Sequence, residues 1–343
     1  MPKGPANIYE VAEHAGVSIA TVSRVQRGTG PVAAATRLHV TRSIEALNYR
    51  PSANARSLAG SRHDASGIVF PDLSGPFYSE VIYGFEREAV EASQSVQILA
   101  THGRERAEDL VRDLADRVDG LVIMGRTVSD ALVAELCRQD VPVVLLARPA
   151  VDGADTVLTE NRTSAIDLVR HLFDHGIDDL LFVGDPDASP DAGERWAAFL
   201  DAHRLAGRAR PKDALLSDFT ERGGHAAVRG HLLARTNGTG RSAGLVCAND
   251  EIALGALQAA RELSVRVPAD LAITGWDDIA VARHVSPALT TVRQPMRELG
   301  STAAVLLAER ISAGRREPRH VLLPTSLVLR ASCGCQVTGG EIA

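Results

Sequence analysis

The chain has 343 residues, of which 45% are hydrophobic and 23% charged, and its formal net charge is −6. That length exceeds what one hydrophobic core ordinarily organises, so more than one domain is expected. No run approaches about 18 uncharged apolar residues, so a transmembrane helix and a role in the membrane are not expected.

The charge is unevenly distributed along the chain. Residues 1–62 carry a net +5, so the remainder carries −11. A small basic segment joined to a large acidic one predicts that only the N-terminal segment meets a polyanion. The first ten residues, MPKGPANIYE, lack the apolar core of a secretory signal, so a cytoplasmic protein is expected.

Two short helices and a glycine turn are predicted over residues 8–25. The apolar residues of the first helix recur at i, i+3, i+4 and i+7, namely Ile8, Val11, Ala12 and Ala15. Gly16 ends this helix, because glycine tolerates the left-handed conformation of a sharp turn. Ser18 is placed to cap the second helix.

The second helix is predicted to present a polar face. Val22 and Val25 point to the core, and a third helix after Pro31 adds Val40 and Ile44. Ile19, Ala20, Thr21, Ser23 and Arg24 are left on the outer side. This arrangement is typical of a helix-turn-helix whose second helix enters the major groove. A small helical bundle for protein contacts is the alternative, which the excess of arginine disfavours.

The motifs VAEHAGVSIATVSRV at 11–25 and RPSANARSLAG at 50–60 resemble the DNA-binding head and hinge of the lac-repressor (LacI/GalR) family of bacterial transcription regulators. The resemblance continues in the family's order through PDLSGPFYSEVIYGFE, VDGLVIMG, GLVCANDEIALGALQAA, VPADLAITGWDDIAVA and SPALTTVRQP. It implies a helix-turn-helix domain at 1–50, a hinge helix and linker at 51–62, and an effector-binding and dimerisation domain at 63–340. The DNA-binding residues that it implies are Tyr9, Ser18, Ile19, Ala20, Thr21, Ser23, Arg24, Asn54, Ala55 and Leu58.

The hinge is predicted to be a short helix that begins after Pro51. About two turns of helix are too short to be stable alone in water. The resemblance implies that the segment folds when two copies meet on the operator, and that Leu58 then wedges into a minor-groove base step. Without the flanking motif, Leu58 would be read as an ordinary linker residue.

From residue 64 onward, short apolar runs alternate with helical patterns. These runs are GIVF (67–70), VQILA (96–100), GLVIM (120–124), VPVVLLA (141–147), LLFVG (180–184), GLVCA (244–248) and LAITG (271–275). They predict α/β architecture with doubly wound parallel sheets covered by helices. The resemblance implies a periplasmic-binding-protein-like body, with one subdomain at about 63–160 plus 291–322 and the other at about 161–290 plus 323–335.

Residues that follow the predicted strands are candidates for a ligand cleft between the subdomains. They are Asp72, Phe77, Tyr78, Arg126, Arg148, Arg195, Phe219, Asn249 and Asp277. By resemblance, Arg195, Asn249 and Asp277 hydrogen-bond the effector, with Asp277 touching only the ligand. Phe219 stacks on the effector, and Phe77 and Tyr78 form the opposite wall. Taken singly, these residues could instead be helix caps, core residues or surface ion pairs.

The polar groups around an aromatic plate suit a sugar or nucleoside, because the plate covers a ring while fixed groups read its hydroxyls. The three candidate arginines leave room for an acidic or phosphorylated ligand. The four cysteines are assigned no function. Cys137 and Cys247 are expected to be buried thiols. Cys333 and Cys335 could bind a metal or oxidise, but no second Cys/His pair offers the remaining ligands. A reduced tail is therefore favoured, and no metal and no cofactor is expected.

These features predict a sequence-specific DNA-binding transcription regulator, expected to be a repressor. As a homodimer it would bind a pseudo-palindromic double-stranded operator, and a small-molecule effector, expected to be sugar-like, would change its affinity. No nucleophile elbow, triad or phosphate loop is present, so the chain is not expected to be an enzyme. The alternative is a periplasmic-type sugar receptor without a regulatory role.

Overall fold

The computed structural model describes residues 6–49, 62–234 and 243–335. It divides into two compact units, 1–63 and 64–343, which are described separately below. The predicted hinge helix, with Asn54, Ala55 and Leu58, lies outside the described residues. Across the described ranges, no helix combines the length and the apolar character that a membrane crossing requires.

The N-terminal unit contains three helices, α1 (Ile8–His14), α2 (Ile19–Arg27) and α3 (Ala34–Ala46). Gly16, at φ +60°, makes the turn after α1. Ser18 caps α2, since its hydroxyl accepts a hydrogen bond from the Thr21 amide at 3.2 Å. The three helices share a small core of Val11, Ala12, Ala15, Val22, Val40 and Tyr49. The predicted helix-turn-helix is therefore confirmed.

The second unit is built on two parallel sheets. The first sheet contains β1 (Ala65–Phe70), β2 (Ser95–Ala100), β3 (Gly120–Met124), β4 (Val143–Leu146), β5 (Asp155–Thr159) and β10 (His320–Leu323), in the order β10-β5-β4-β3-β1-β2. Helices α4 (Pro76–Glu91) and α11 (Met296–Ala313) cover one face, and α5 (Ala107–Ala115) and α6 (Asp130–Arg138) cover the other. The inner strands β1, β3, β4 and β5 are buried on both faces because alternate side chains enter two different cores, whereas the edge strands β2 and β10 are partly exposed.

The second sheet contains β6 (Asp179–Val183), β7 (Ala243–Cys247) and β8 (Leu271–Thr274), in that order. Helices α7 (Arg162–Asp174), α8 (Pro190–Leu205), α9 (Glu221–Ala234) and α10 (Asp250–Glu262) surround it. A crossover pair joins the two sheets, formed by β9 (Thr291–Arg293) and β11 (Ser326–Val328) in antiparallel register. The chain thus leaves the second sheet through β9, adds α11 and β10 to the first, and returns through β11.

The predicted fold class is confirmed, and each of the seven apolar runs coincides with a strand. The sequence analysis did not identify β5, β9, β10 and β11, because these strands are short and partly polar. The predicted subdomain boundaries stay a prediction. As the prediction had it, the chain after residue 290 returns to the first sheet, through β10, and then leaves it again.

Candidate binding sites

Arg195 lies at the centre of a buried polar group beside the second sheet. It is in the second turn of α8, and only 5% of the residue is exposed. Its Nε donates to Asn161 Oδ1 at 2.9 Å, and its Nη1 donates to the Ala248 carbonyl at 2.8 Å. The guanidinium lies 4.5 Å above the Trp276 ring, where a cation–π contact adds to the hydrogen bonds. Arg195 is therefore held in one orientation from three sides.

Asn161 connects Arg195 to two carboxylates of the same helix. Its Nδ2 donates to Asp191 Oδ1 at 3.1 Å and to Glu194 Oε2 at 2.9 Å. Asp191 also lies 3.9 Å from the Arg195 guanidinium. Burial raises the pKa of Asp191 even though Arg195 and Asn161 favour its charged form. The group therefore holds two carboxyl groups for one arginine, and burial opposes the charge of Asp191.

Asp277 follows β8 and is also buried. One of its oxygens accepts a hydrogen bond from Gln294 Nε2 at 2.6 Å, and Gln294 Oε1 accepts from the Thr159 hydroxyl at 2.8 Å. Thr159 belongs to the first sheet, so this chain of hydrogen bonds runs from one sheet to the other through the residue after β9. The prediction that Asp277 touches only a ligand is wrong, because the carboxylate is also a partner of the crossover segment.

The charge of Asp277 is sensitive to pH. Burial raises its pKa to about 7, although Arg195 and the Gln294 hydrogen bond lower it and Glu251 and Asp191 raise it. A carboxyl with this pKa changes charge near neutrality, so its ability to accept hydrogen bonds changes there as well.

Asn249 and Phe219 lie together beside this group. Asn249 caps α10, because its Oδ1 accepts from the Ile252 amide at 2.9 Å. Its Nδ2 donates to the Phe219 carbonyl at 3.0 Å, which ties the Phe219 loop to α10. The half-buried Phe219 side chain packs on the core of the second sheet. The capping interpretation of Asn249 is thus confirmed.

The opposite wall comes from the start of α4. The Tyr78 ring makes edge-to-face contacts with Phe70 and Phe77, each at 5.6 Å between centroids. Burial raises the pKa of Tyr78 to about 12, with further contributions from Asp72, Asp277 and Glu251. Asp72 follows β1, whereas Asp277 and Glu251 belong to the second-sheet side. Tyr78 therefore faces acidic groups from both sides of a cleft.

Gly75, just before α4, lies against Glu251 of α10. A Cβ built on Gly75 would lie 2.5 Å from the Glu251 carboxylate and would displace it, and the φ of +89° at this position is strained for any residue with a side chain. The name "cleft group" is used below for the residues that these contacts and charges connect: Asp72, Phe77, Tyr78, Asn161, Asp191, Glu194, Arg195, Phe219, Asn249, Glu251, Trp276 and Asp277.

Two predicted arginines make no contact with the cleft group. Arg148 is 1% exposed, donates to the Val128 carbonyl at 3.2 Å and pairs with Asp130 at the start of α6. Arg126 is exposed, and no hydrogen bond or ion pair links it to the cleft group among the described residues. The contacts therefore bring Asp72, Phe77, Tyr78, Arg195, Phe219, Asn249 and Asp277 together, without Arg126 and Arg148.

Sequence reasoning missed several members of the site, chiefly Asn161, Glu251 and Trp276. Asn161 comes two residues after β5, at the carboxyl end of a strand, but β5 itself was not predicted. Trp276 lies two residues after β8 and adjoins Asp277, so its position could have been noted. Its burial under Arg195 has no signature in the sequence.

The candidate DNA-binding residues of α2 lie largely on the surface of the N-terminal unit. Ile19 is 40% exposed, Ala20 and Arg24 are exposed, and Thr21 and Ser23 are partly buried. Ser18 and Thr21 are joined at 2.9 Å through their hydroxyls. Tyr9 of α1 is 68% exposed. The start of α2 therefore presents short side chains and one arginine to a partner, which suits close approach to base edges.

One prediction about the C-terminal cysteines is wrong. His171 is in the last turn of α7 and His175 caps its C-terminus, and the side chains of both meet Cys333 and Cys335. These histidines are the second pair that Cys333 and Cys335 were predicted to lack. The pair escaped notice because it lies about 160 residues before the cysteines.

Comparison with known proteins gives consistent results over most of the chain. Residues 7–52 match the family described as bacterial regulatory proteins, lacI family, and residues 169–333 match the periplasmic binding protein-like domain. The chain is 33% identical to the HTH-type transcriptional repressor PurR of Erwinia tasmaniensis over 333 residues, which is 95% of this chain and 96% of that one.

Two solved structures are similar along nearly their full length. The lac repressor dimer bound to operator and the anti-inducer ONPF aligns with a TM-score of 0.83 and 28% identity, covering 96% of this chain and 99% of that one. The complex of the transcriptional regulator CelR with cellobiose aligns with a TM-score of 0.70 and 29% identity, covering 95% and 99%.

Proposed function

Since this chain belongs to the lacI family of bacterial regulatory proteins, a family of DNA-binding transcription regulators, we propose that the cleft group binds an uncharged, hydroxyl-rich metabolite. The chain is a transcriptional repressor with an effector-binding domain, and it is not an enzyme. The proposal concerns the effector class and the residues that bind it.

The charge of the cleft group carries this proposal. Its ionisable side chains besides Tyr78 are one cation, Arg195, and five carboxyl groups: Asp72, Asp191, Glu194, Glu251 and Asp277. A phosphate or carboxylate would find a single cation among these carboxyl groups, and the ionised ones would repel it at the short distances of a cleft. Hydroxyl groups, in contrast, donate to carboxylates and accept from a guanidinium, and such charge-assisted hydrogen bonds are the strong ones. The phosphorylated ligand that three converging arginines would suit loses its support, because Arg148 is paired with Asp130.

The aromatic side chains fit the same class of ligand. Phe77, Tyr78 and Phe219 come from both walls, and aromatic faces cover the CH faces of sugar rings. A relative of the same architecture, CelR, has been solved with cellobiose, which supports a saccharide. A sugar is therefore our first candidate.

We expect a screen of neutral sugars, nucleosides and sugar phosphates to find stabilising compounds among the uncharged polyols. A compound that binds only the folded chain stabilises it by about 2.7 kcal/mol at 100 times its Kd, which thermal unfolding detects readily. Cellobiose and ribose are the first probes, and glucose 6-phosphate is the charged control. Stabilisation by phosphorylated compounds alone would contradict the proposal.

We also propose that two copies of α2 bind the half-sites of a pseudo-palindromic operator in successive major grooves. One helix-turn-helix covers too little DNA for tight specific binding, and two-fold operators match two-fold proteins. The exposed start of α2 and the net +5 charge of residues 1–62 support this arrangement. A chain that binds sugars but shows no affinity for any duplex would instead be the receptor without a regulatory role.

Arg24→Ala should relax base preference at one position in each half-site. Arg24 is exposed on α2. An arginine that donates two hydrogen bonds to guanine, at O6 and N7, contributes about 1–3 kcal/mol of discrimination against the other bases. The measurement is selection of duplexes from a randomised pseudo-palindromic library, followed by anisotropy titration that also counts chains per duplex. Arg37→Ala, on α3, is the matched control and should keep the preference. An unchanged preference profile for Arg24→Ala would remove Arg24 from the contact set.

Communication between the two sites completes the proposal. Effector binding would shift the subdomains, and that shift would change the spacing of the two hinge segments, on which the insertion of Leu58 depends. The hydrogen bonds that join Asp277, Gln294 and Thr159 run from one sheet to the other. They would transmit part of this coupling between the subdomains. The coupling is reciprocal, so operator DNA must change effector affinity by the same factor, about 5–150-fold for 1–3 kcal/mol.

A further inference from the structure

Four side chains with metal-binding atoms converge at the end of α7, away from the cleft group. His171 Nε2 lies 3.4 Å from both Cys333 Sγ and Cys335 Sγ, and His175 Nε2 lies 3.4 Å from Cys335 Sγ. All four ligand atoms lie within 4.8 Å of one another. This group is called the His₂Cys₂ cluster below.

The local fold explains why these atoms meet. His171 is in the last turn of α7 and His175 is its C-cap, whose amide donates to the His171 carbonyl. The two side chains are therefore four residues apart in nearly helical geometry, a spacing that places them on one face. On the other side, Gly334 adopts φ +103°, a conformation that a residue with a side chain rarely adopts, between Cys333 and Cys335. This turn lets both thiols approach the same two imidazoles.

The cysteine segment is held in place independently of the histidines. Ser332 accepts from the Thr290 amide at 2.8 Å through its hydroxyl, and its own amide donates to the Ala288 carbonyl at 2.9 Å. The Thr290 hydroxyl lies 3.0 Å from Cys333 Sγ, where it can donate to a thiolate. Such outer hydrogen bonds orient sulfur ligands and hold their charge. The site is therefore preorganised around its most buried ligand, Cys333.

We propose that the His₂Cys₂ cluster is a structural zinc site. Two thiolates and two imidazoles form a closed four-ligand set, which is the set that structural Zn²⁺ sites use. For Zn–S of about 2.3 Å and Zn–N of about 2.05 Å, a tetrahedron places neighbouring N and S atoms about 3.5 Å apart. The observed 3.4 Å separations agree with this geometry. No ligand position remains for water, so the ion would brace the fold and would not catalyse a reaction.

The ion would join the last described segment of the chain to α7. This helix begins beside Asn161, the residue that connects Arg195 to its carboxylates. Zinc would thus fix the far end of a helix whose first turn adjoins the effector site. Zinc removal should lower thermal stability, whether or not DNA or effector is present.

The test uses the full-length chain without an affinity tag, reduced and metal-free, and then dialysed against Zn²⁺. We expect one zinc per chain by elemental analysis. Loading with Co²⁺ instead should give the intense visible bands of a tetrahedral ion and a sulfur-to-metal charge-transfer band.

His175→Gln and Cys335→Ser change an exposed and a partly buried ligand, so these variants should still fold. Each should raise the Kd for zinc more than about 100-fold, beyond the effect of losing an outer-shell partner. Cys137→Ser, which removes a thiol elsewhere in the body, should bind zinc like the parent chain.

Any of three results would overturn the proposal. The first is that the reduced parent chain binds less than a tenth of an equivalent of zinc. The second is that Cys335→Ser and His175→Gln bind zinc as tightly as the parent chain does, and the third is that Co²⁺ gives an octahedral spectrum without a charge-transfer band. If the cysteines of the freshly isolated chain form a disulfide and the reduced chain still rejects zinc, the cluster is a redox pair and the metal assignment is wrong.

Discussion

Arg195→Met should lower the free energy of unfolding by about 3–5 kcal/mol, because the substitution leaves buried carboxylates without their cation. Arg195 is 5% exposed, donates to Asn161 and Ala248, and lies within 4 Å of Asp191. Methionine keeps much of the side-chain volume over Trp276. The loss of stability would therefore come mainly from the missing charge and hydrogen bonds, and much less from changed packing. The same variant should lose its response to the effector.

Chemical unfolding of the parent and variant at neutral pH measures the effect. Arg162→Met is the matched control, because Arg162 pairs with Asp201 on the surface of the neighbouring helix and is 56% exposed. Such pairs contribute at most about 1 kcal/mol. Adding Asp191→Asn to Arg195→Met should recover part of the loss, since it removes one of the unpaired charges. Equal costs for the Arg195 and Arg162 variants would show that Arg195 does not organise the buried group.

Asp277→Asn should make the chain more stable at neutral and alkaline pH and should flatten the pH dependence of stability. The folded pKa of Asp277 is about 7, raised from 3.8 mainly by burial. The folded state therefore binds a proton that the unfolded state has released. Stability from this group is full below about pH 4 and is lost as the pH rises through 7. Between about pH 5 and pH 7 the loss is roughly 2 kcal/mol for one group.

Asparagine removes this titration, and its side-chain carbonyl can still accept from Gln294. Asp191, Asp250 and Glu251 have pKa values raised in the same direction, so a residual slope of the same sign should remain. Denaturant titrations at a series of pH values give the slope. Asp270→Asn is the control, because hydrogen bonds from Arg266 lower the pKa of Asp270 to about 2, and the residue stays ionised above about pH 5. A slope as steep in Asp277→Asn as in the parent chain would contradict the assignment.

The two variants also separate stability from effector binding. Arg195→Met should lose both stability and effector, whereas Asp277→Asn should gain stability and lose affinity for a hydroxyl-rich ligand. A gain in stability together with a loss of effector affinity is expected where a binding site buries charged hydrogen-bond acceptors, because their burial lowers the stability of the folded state. If the cleft were merely structural, the more stable variant would bind the effector as well as the parent does.

Elements with local signals could be predicted from the order of residues alone. The α2 cap at Ser18 and the glycine turn at Gly16 depend on residues a few positions apart, and both are found in the structure. The apolar runs gave the buried strands because a strand covered on both faces must be apolar throughout. Short strands such as β5 carry too few residues for such a pattern, and with β5 the position of Asn161 was missed.

Which polar residues share an environment depends on the packing of distant parts of the chain. Nothing near Arg148 in the sequence reveals that Asp130 neutralises it, and nothing near Asp277 reveals the bond to Gln294. The His₂Cys₂ cluster is the plainest case, because His171 and Cys333 are 162 residues apart and each pair alone is unremarkable. Ligand sets and pKa values depend on distance and burial, and both are set by how the whole chain packs, which a pattern of neighbouring residues does not encode.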